Sequence, residues 1–241
     1  MKKLNLKSKR YNEINIVYSL APPVLQSVSD ALNLPAKKIM AKASGATRTK
    51  TGDNGGSFHG SIKNVESLKN IKDKQLYNAM KSTISRYHTI MGVRQKNVKL
   101  ADIDGAYGVH VTSSDGKSEG VYLSKKYFKN KTVAAVANEH AKNYKNGWST
   151  KTNKPVAHTL THELAHATWN SHLSSPNAKA ATKEITKLYG EWEKDKKKTG
   201  YGKYAQSNVN EFWAETSTKA VHGKTDRYTK AVKDIIKRYK L

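Results

Sequence analysis

Apolar residues return at Leu76, Ala79, Met80, Ile84, Tyr87 and Ile90, the spacing of one helix face, and predict an amphipathic helix over 73–91. The same period predicts a second helix over 131–144, with Val133, Ala134, Val136, Ala137 and Ala141 inward and Asn146-Gly147 as its stop. A third should start near Pro155, behind Thr152 and Asn153 as caps, and run to about Asn170. Ser175-Pro176 reads as cap and first position of a fourth, with a stripe of Ala181, Ile185, Leu188 or Tyr189, and Trp192 that ends before Gly200. Helices over 208–221 and about 228–239 complete the set, the last with Val232, Ile235 and Ile236 inward. Between the first two helices the pattern shortens, and 106–112 and 120–124 read as strands around a hairpin-like turn at 113–117. The fold class expected is therefore α+β, a small sheet with several helices.

The first quarter of the chain differs. Residues 1–41 read as a basic arm followed by short helical pieces, broken at Ala21-Pro22-Pro23 and Leu34-Pro35. Residues 42–61 are mostly Gly, Ser, Thr, Asn and Lys with one aromatic, Phe58, which leaves little to bury. The expected division is a basic extension and flexible linker over 1–61 and the main domain over 62–241.

Charge adds a partner to this picture. Lys and Arg total 44 of 241 residues against 19 Asp and Glu, a formal net charge of +25. Only Arg10, Arg48, Arg86, Arg94, Arg227 and Arg238 are arginines, so the excess is lysine, a solvated point charge suited to non-specific attraction to nucleic acid. It is densest in residues 1–100, which carry 19 basic and 5 acidic groups, a balance of +14. No run of about 18 apolar residues is present, so no membrane span is expected. The apolar patch over 14–21 is interrupted by Asn15 and Ser19 and does not read as a cleavable signal, which points to a cytoplasmic or virion-associated setting.

Cysteine is absent, so a metal would have to be held by His, Asp or Glu. Thr159-Leu160-Thr161-His162-Glu163-Leu164-Ala165-His166-Ala167 supplies such a set. Positions i and i+4 share a helix face, so His162 and His166 can aim ring nitrogens at one ion with Glu163 beside them as general base. This His-Glu-x-x-His spacing is the zinc peptidase signature, and in a chain that is 26% charged the flanks from Thr159 to Trp169 carry no other acid and no Lys or Arg. For the third ligand, His172 stands six residues after His166, but the position that needs a turning Gly is Trp169, and Met1, Met40, Met80 and Met91 all precede the motif. Glu211 is the better choice, on a separate helix beside Phe212, Trp213 and Ala214, with Glu215 at i+4 placed to hydrogen-bond a liganding histidine. An edge strand, 106–112 or 120–124, would take an extended protein or peptide substrate by backbone pairing.

With Glu211-Phe212-Trp213-Ala214-Glu215 downstream and Tyr204 seven residues before Glu211, the stretch over about 105–223 resembles the gluzincin metallopeptidases, the group of the anthrax lethal factor catalytic domain and the clostridial Pro-Pro endopeptidases. The resemblance implies a zincin-like domain, Zn2+ bound by the first glutamate of that motif, here Glu211, together with His162 and His166, and a tyrosine, here Tyr204, that assists the transition state. Related domains occur in phage head-associated proteins, which suits a lysine-rich chain. The alternative expectation is a basic nucleic-acid-associated or virion protein whose zinc site is structural or vestigial.

Overall fold

Every residue of Ala106–Thr112 is buried, which marks it as a central strand covered on both faces and both edges. The computed structural model describes residues 16–20, 62–94, 97–112, 118–170, 176–195 and 200–241. Its strands are β1 (Ile16–Leu20), β2 (Lys63–Ser67), β3 (Val98–Asp102), β4 (Ala106–Thr112) and β5 (Ser118–Ser124). They form one mixed sheet in the order β1-β4-β5-β3-β2, with β3 and β5 parallel and the other neighbours antiparallel. The helices are α1 (Lys74–Met91), α2 (Lys125–Phe128), α3 (Val133–Lys145), α4 (His158–Asn170), α5 (Pro176–Lys194), α6 (Val209–His222) and α7 (Arg227–Tyr239). The molecule is α+β, as its sequence pattern predicts, and no helix among the described residues is long and apolar enough to cross a membrane.

Local chemistry sets the helix ends. Asp73 accepts the Leu76 N–H at 2.7 Å to start α1, and Gly92 ends it at φ 72°, a left-handed conformation that only glycine adopts without strain. Asn208 accepts the Glu211 N–H at 2.9 Å to start α6, and Asp226 closes a capping box with Thr229 at the start of α7. Pro155 opens a short 3-10 turn over Pro155–Ala157, and the α-helix proper begins at His158, three residues later than expected.

Two fully buried helices form the centre. All of α4 is buried, as is α6 from Glu211 to His222. They are locked together by Trp213 Nε1, which donates to the Ala165 carbonyl at 2.9 Å, and by the Trp169–Trp213 ring contact at 5.5 Å. On the far side, Tyr87 of α1 hydrogen-bonds Thr168 at 2.6 Å, and Arg86 donates to the Val221 carbonyl at 3.0 Å. The sheet covers the remaining face of α4. Gly108 of β4 makes this close approach possible: a Cβ there would lie 2.9 Å from Thr159 Cγ2 and 3.1 Å from Glu163 Cγ.

The sheet departs from expectation at its edges. The strands over 106–112 and 120–124 form the expected antiparallel pair, β4 and β5, but neither is an edge strand, because β1 pairs with the outer side of β4 and β3 with the outer side of β5. β1 lies within the stretch read as an arm with helical pieces; its Ile-Val-Tyr-Ser-Leu composition favours a pleated strand once β4 offers an unpaired row of backbone groups. The other features expected over 1–61, together with the 113–117 turn and the Ser175 cap, lie outside the described residues.

Candidate metal centre

His162, Glu163 and His166 project from the middle of α4, all at 0% exposure. Glu211, in the first turn of α6, faces them. His162 Nε2 and His166 Nε2 are 3.0 Å apart, and Glu211 Oε2 lies 3.0 Å from the first and 3.4 Å from the second. Ligand atoms bound at about 2.0–2.1 Å in a tetrahedron stand about 3.3 Å apart, so this triangle is of a size that could hold a metal ion. The donor set is nitrogen and oxygen only, and Glu211 Oε2 accepts no well-directed hydrogen bond although it is buried, as expected of an atom whose lone pair is meant for an ion.

The ring of His162 is fixed from its other side. Nδ1 lies 2.9 Å from Glu215 Oε1, one turn beyond Glu211 on α6, while Glu215 Oε2 accepts the Thr150 backbone N–H at 2.6 Å. An ionised carboxylate only accepts, so His162 Nδ1 carries a hydrogen toward Glu215, and an ion in the triangle would take the Nε2 lone pair. Burial disfavours the charged forms throughout, but the opposed charges outweigh it: His158 and His162 hold Glu215 well below the usual carboxylate range, and Glu211 and Glu215 raise His162 well above the usual imidazole value. The structure thus brings together every residue singled out in the sequence as ligand or ligand support.

Glu163 stands apart from this network. No other side chain hydrogen-bonds its buried oxygens, and burial pushes its carboxyl up to about 8, only partly offset by the His162 ring and the His110 backbone N–H. Leaving a buried polar atom unpaired costs roughly 1–3 kcal/mol, so this side chain is held in place by its surroundings at the expense of stability.

Tyr204 reaches the same place from the segment before α6. It is 4% exposed, stacked between Trp148 at 5.6 Å and His162 at 5.5 Å, and hydrogen-bonded to Glu211. Burial and the Glu211 and Glu163 carboxylates raise its pKa well above the ordinary phenol value, so it keeps its proton and acts as a donor. Two backbone bonds register this segment on the 147–148 stretch, Lys203 N to Gly147 O and Tyr204 N to Trp148 O, both 2.9 Å. Gly202 permits that approach, since a Cβ there would meet the Trp148 carbonyl oxygen at 2.2 Å. Tyr201, by contrast, turns away toward Asp226 at 3.4 Å, under the Lys219 ammonium. His172 lies outside the described residues.

Several contributors escaped the sequence reading. His158 bonds Glu215 Oε1 at 3.1 Å, and its signal was present, since it precedes His162 by four residues on the same helix face. Trp148, Thr150 and Tyr144 come from outside the motif helices and carry no spacing signal at all.

No match to this chain emerges from comparison with family models, curated proteins or solved structures, so the site is read from its own geometry.

Proposed function

We propose that the chain is a zinc-dependent endopeptidase of the gluzincin kind, acting on a protein or peptide substrate. The observation that carries the reading is Glu163, an acidic side chain at 0% exposure that no other side chain hydrogen-bonds, next to a triangle of three ligand atoms on His162, His166 and Glu211. A purely structural site would gain nothing from such a group, whereas a general base needs a desolvated acid whose pKa is raised toward neutral pH.

His162 and His166 through Nε2, and Glu211 through Oε2, would hold the ion. Zinc, when bound, supplies a Lewis acid and lowers the pKa of water to about 7. Glu163 takes the proton of the attacking water and returns it to the leaving amine, keeping the proton within the closed site. Tyr204 donates toward the oxyanion that develops on the scissile carbonyl, an interaction stronger in the transition state than in the bound substrate. Glu215 keeps His162 in the orientation and tautomer the site needs. The outer edge of β4 is paired with β1, so an extended substrate finds no open strand edge there.

Two observations favour the second reading, a basic nucleic-acid-associated or virion protein with a structural zinc site. His162, Glu163 and His166 are fully buried, and the chain carries a net charge of +25. Proteome-wide profiling of cleaved peptide bonds with the wild type and Glu163→Ala decides between them. The peptidase reading expects bonds cut only by the wild type. No cleavage, together with DNA binding that falls steeply with salt, would establish the alternative.

A further inference from the structure

We propose that His158 is a positioning residue for the metal site, the middle member of a hydrogen-bonded chain running from Thr152 through Tyr144, His158 and Glu215 to His162; this rests on the metal reading above. The chain is continuous. Thr152 Oγ1 lies 2.8 Å from the Tyr144 hydroxyl, Tyr144 lies 3.1 Å from His158 Nδ1, His158 Nε2 lies 3.1 Å from Glu215 Oε1, and the same oxygen lies 2.9 Å from His162 Nδ1.

Donor and acceptor roles along it are determined by its Glu215 end. A carboxylate accepts only, so both ring nitrogens that face Oε1 carry hydrogen. His158 then offers Nδ1 as an acceptor to Tyr144, whose phenol burial keeps protonated, and Tyr144 in turn accepts from Thr152. With the Thr150 N–H on Oε2, the carboxylate is held at both oxygens and cannot rotate away from His162. His158 is 2% exposed and rigidly seated, its ring 5.2 Å from His140 and 5.5 Å from Tyr144.

His158, His162 and His166 recur every fourth residue along one face of α4, yet only the last two meet Glu211. The first is one step removed, and its work is done through Glu215. Removing it would leave Glu215 Oε1 with one donor where it has two, so that only the Thr150 N–H and His162 itself would hold the carboxylate. The partner of the His162 ring would then be less firmly seated, and disturbing such a partner typically weakens metal affinity by about 10- to 100-fold.

The test is zinc affinity of the full chain, measured by chelator competition, for three variants confirmed folded by circular dichroism. His158→Phe keeps the ring packing and removes the donor; His158→Gln keeps a donor near the Nε2 position. His222→Gln is the control for a buried histidine on α6, the helix that carries Glu215, since its Nε2 bonds Thr161 Oγ1 at 3.0 Å rather than Glu215. The expected result is zinc held roughly 10- to 100-fold more weakly by His158→Phe, with His158→Gln and His222→Gln within about fivefold of wild type. In the metal-free protein, the His162 Nδ1 hydrogen, bonded to Glu215 Oε1 at 2.9 Å, should exchange slowly with solvent by NMR in the wild type and in His222→Gln, and at least roughly tenfold faster in His158→Phe. Wild-type affinity in His158→Phe, equal weakening in His222→Gln, or an unchanged exchange rate would overturn the proposal. Both readouts are independent of peptide cleavage, and the second needs no metal, so a failed peptidase or metal reading is told apart from a failed positioning role.

Discussion

The contact between β4 and α4 turns on one missing side chain. Replacing Gly108 with alanine places a methyl 2.9 Å from Thr159 Cγ2, 3.1 Å from Glu163 Cγ and 3.2 Å from the Tyr122 carbonyl oxygen. Carbon atoms pack best at about 3.5–4.0 Å, so strand and helix must part by roughly 0.5–1 Å. None of the three obstacles is the far end of a flexible chain. Overpacking of this kind costs about 1–3 kcal/mol. At about 2–4 °C per kcal/mol for a chain of this size, Tm should fall by roughly 2–12 °C. Glu163 is one of the groups displaced, and a misplacement of about 1 Å can cost on the order of 100-fold in rate. Thermal denaturation, zinc content and kcat/KM on a cleaved peptide should therefore show a less stable protein that keeps its metal and loses most of its activity. Gly190→Ala is the matched control: it lies in α5 with nothing within 4 Å of the added Cβ, and should gain about 0.5–1 kcal/mol from helix propensity. A Gly108→Ala protein that melts with the wild type and retains full kcat would refute the close-approach argument.

Two further outcomes follow from the site and its frame. Tyr204→Phe should lower kcat by roughly tenfold to a thousandfold with zinc content and KM little changed, while Tyr201→Phe leaves kcat alone; a loss confined to KM would show that the hydroxyl binds the ground state. Asp226→Asn should destabilise the protein by about 1 kcal/mol at neutral pH by removing the charge opposite Lys219, since asparagine caps α7 as well as aspartate does. Burial raises the Asp226 carboxyl, but Lys219 at 2.7 Å and the Thr229 N–H bring it below its ordinary 3.8, so its contribution is complete above that value and is lost as pH falls through the folded value. Melting curves of the two proteins should converge in acid, and a gap that widens as pH falls would contradict the assignment.

Helices were legible in the sequence because their information is local. The helices expected over 73–91 and 208–221, and Pro176 as the first position of another, each fall within a residue or two of the observed boundaries. The inner strands β4 and β5 were legible for the same reason. β2 was not, since Lys-Asn-Val-Glu-Ser is exposed along most of its length and exists as a strand through its pairing with β3. Nor could the sequence show that β1 covers β4, because that pairing joins Ile16 to Val111 across most of a hundred residues. The same division holds at the site. His162, Glu163, His166, Glu211 and Glu215 stand at helical spacings within two helices. Trp148 and Thr150 reach it from a 147–152 stretch registered on the 200–204 stretch, by Lys151 N to Gly200 O at 3.1 Å and Tyr204 N to Trp148 O at 2.9 Å, and Tyr144 reaches it from the last turn of α3.

The central claim is that His162, His166 and Glu211 hold one zinc ion, and metal content of the purified chain tests it most directly. Elemental analysis should find about one zinc per chain in the wild type and in His172→Ala, and little in Glu211→Ala or in the His162→Ala His166→Ala double variant. A metal-free wild type under zinc-replete conditions, or a site emptied by His172→Ala and retained in Glu211→Ala, would contradict the account.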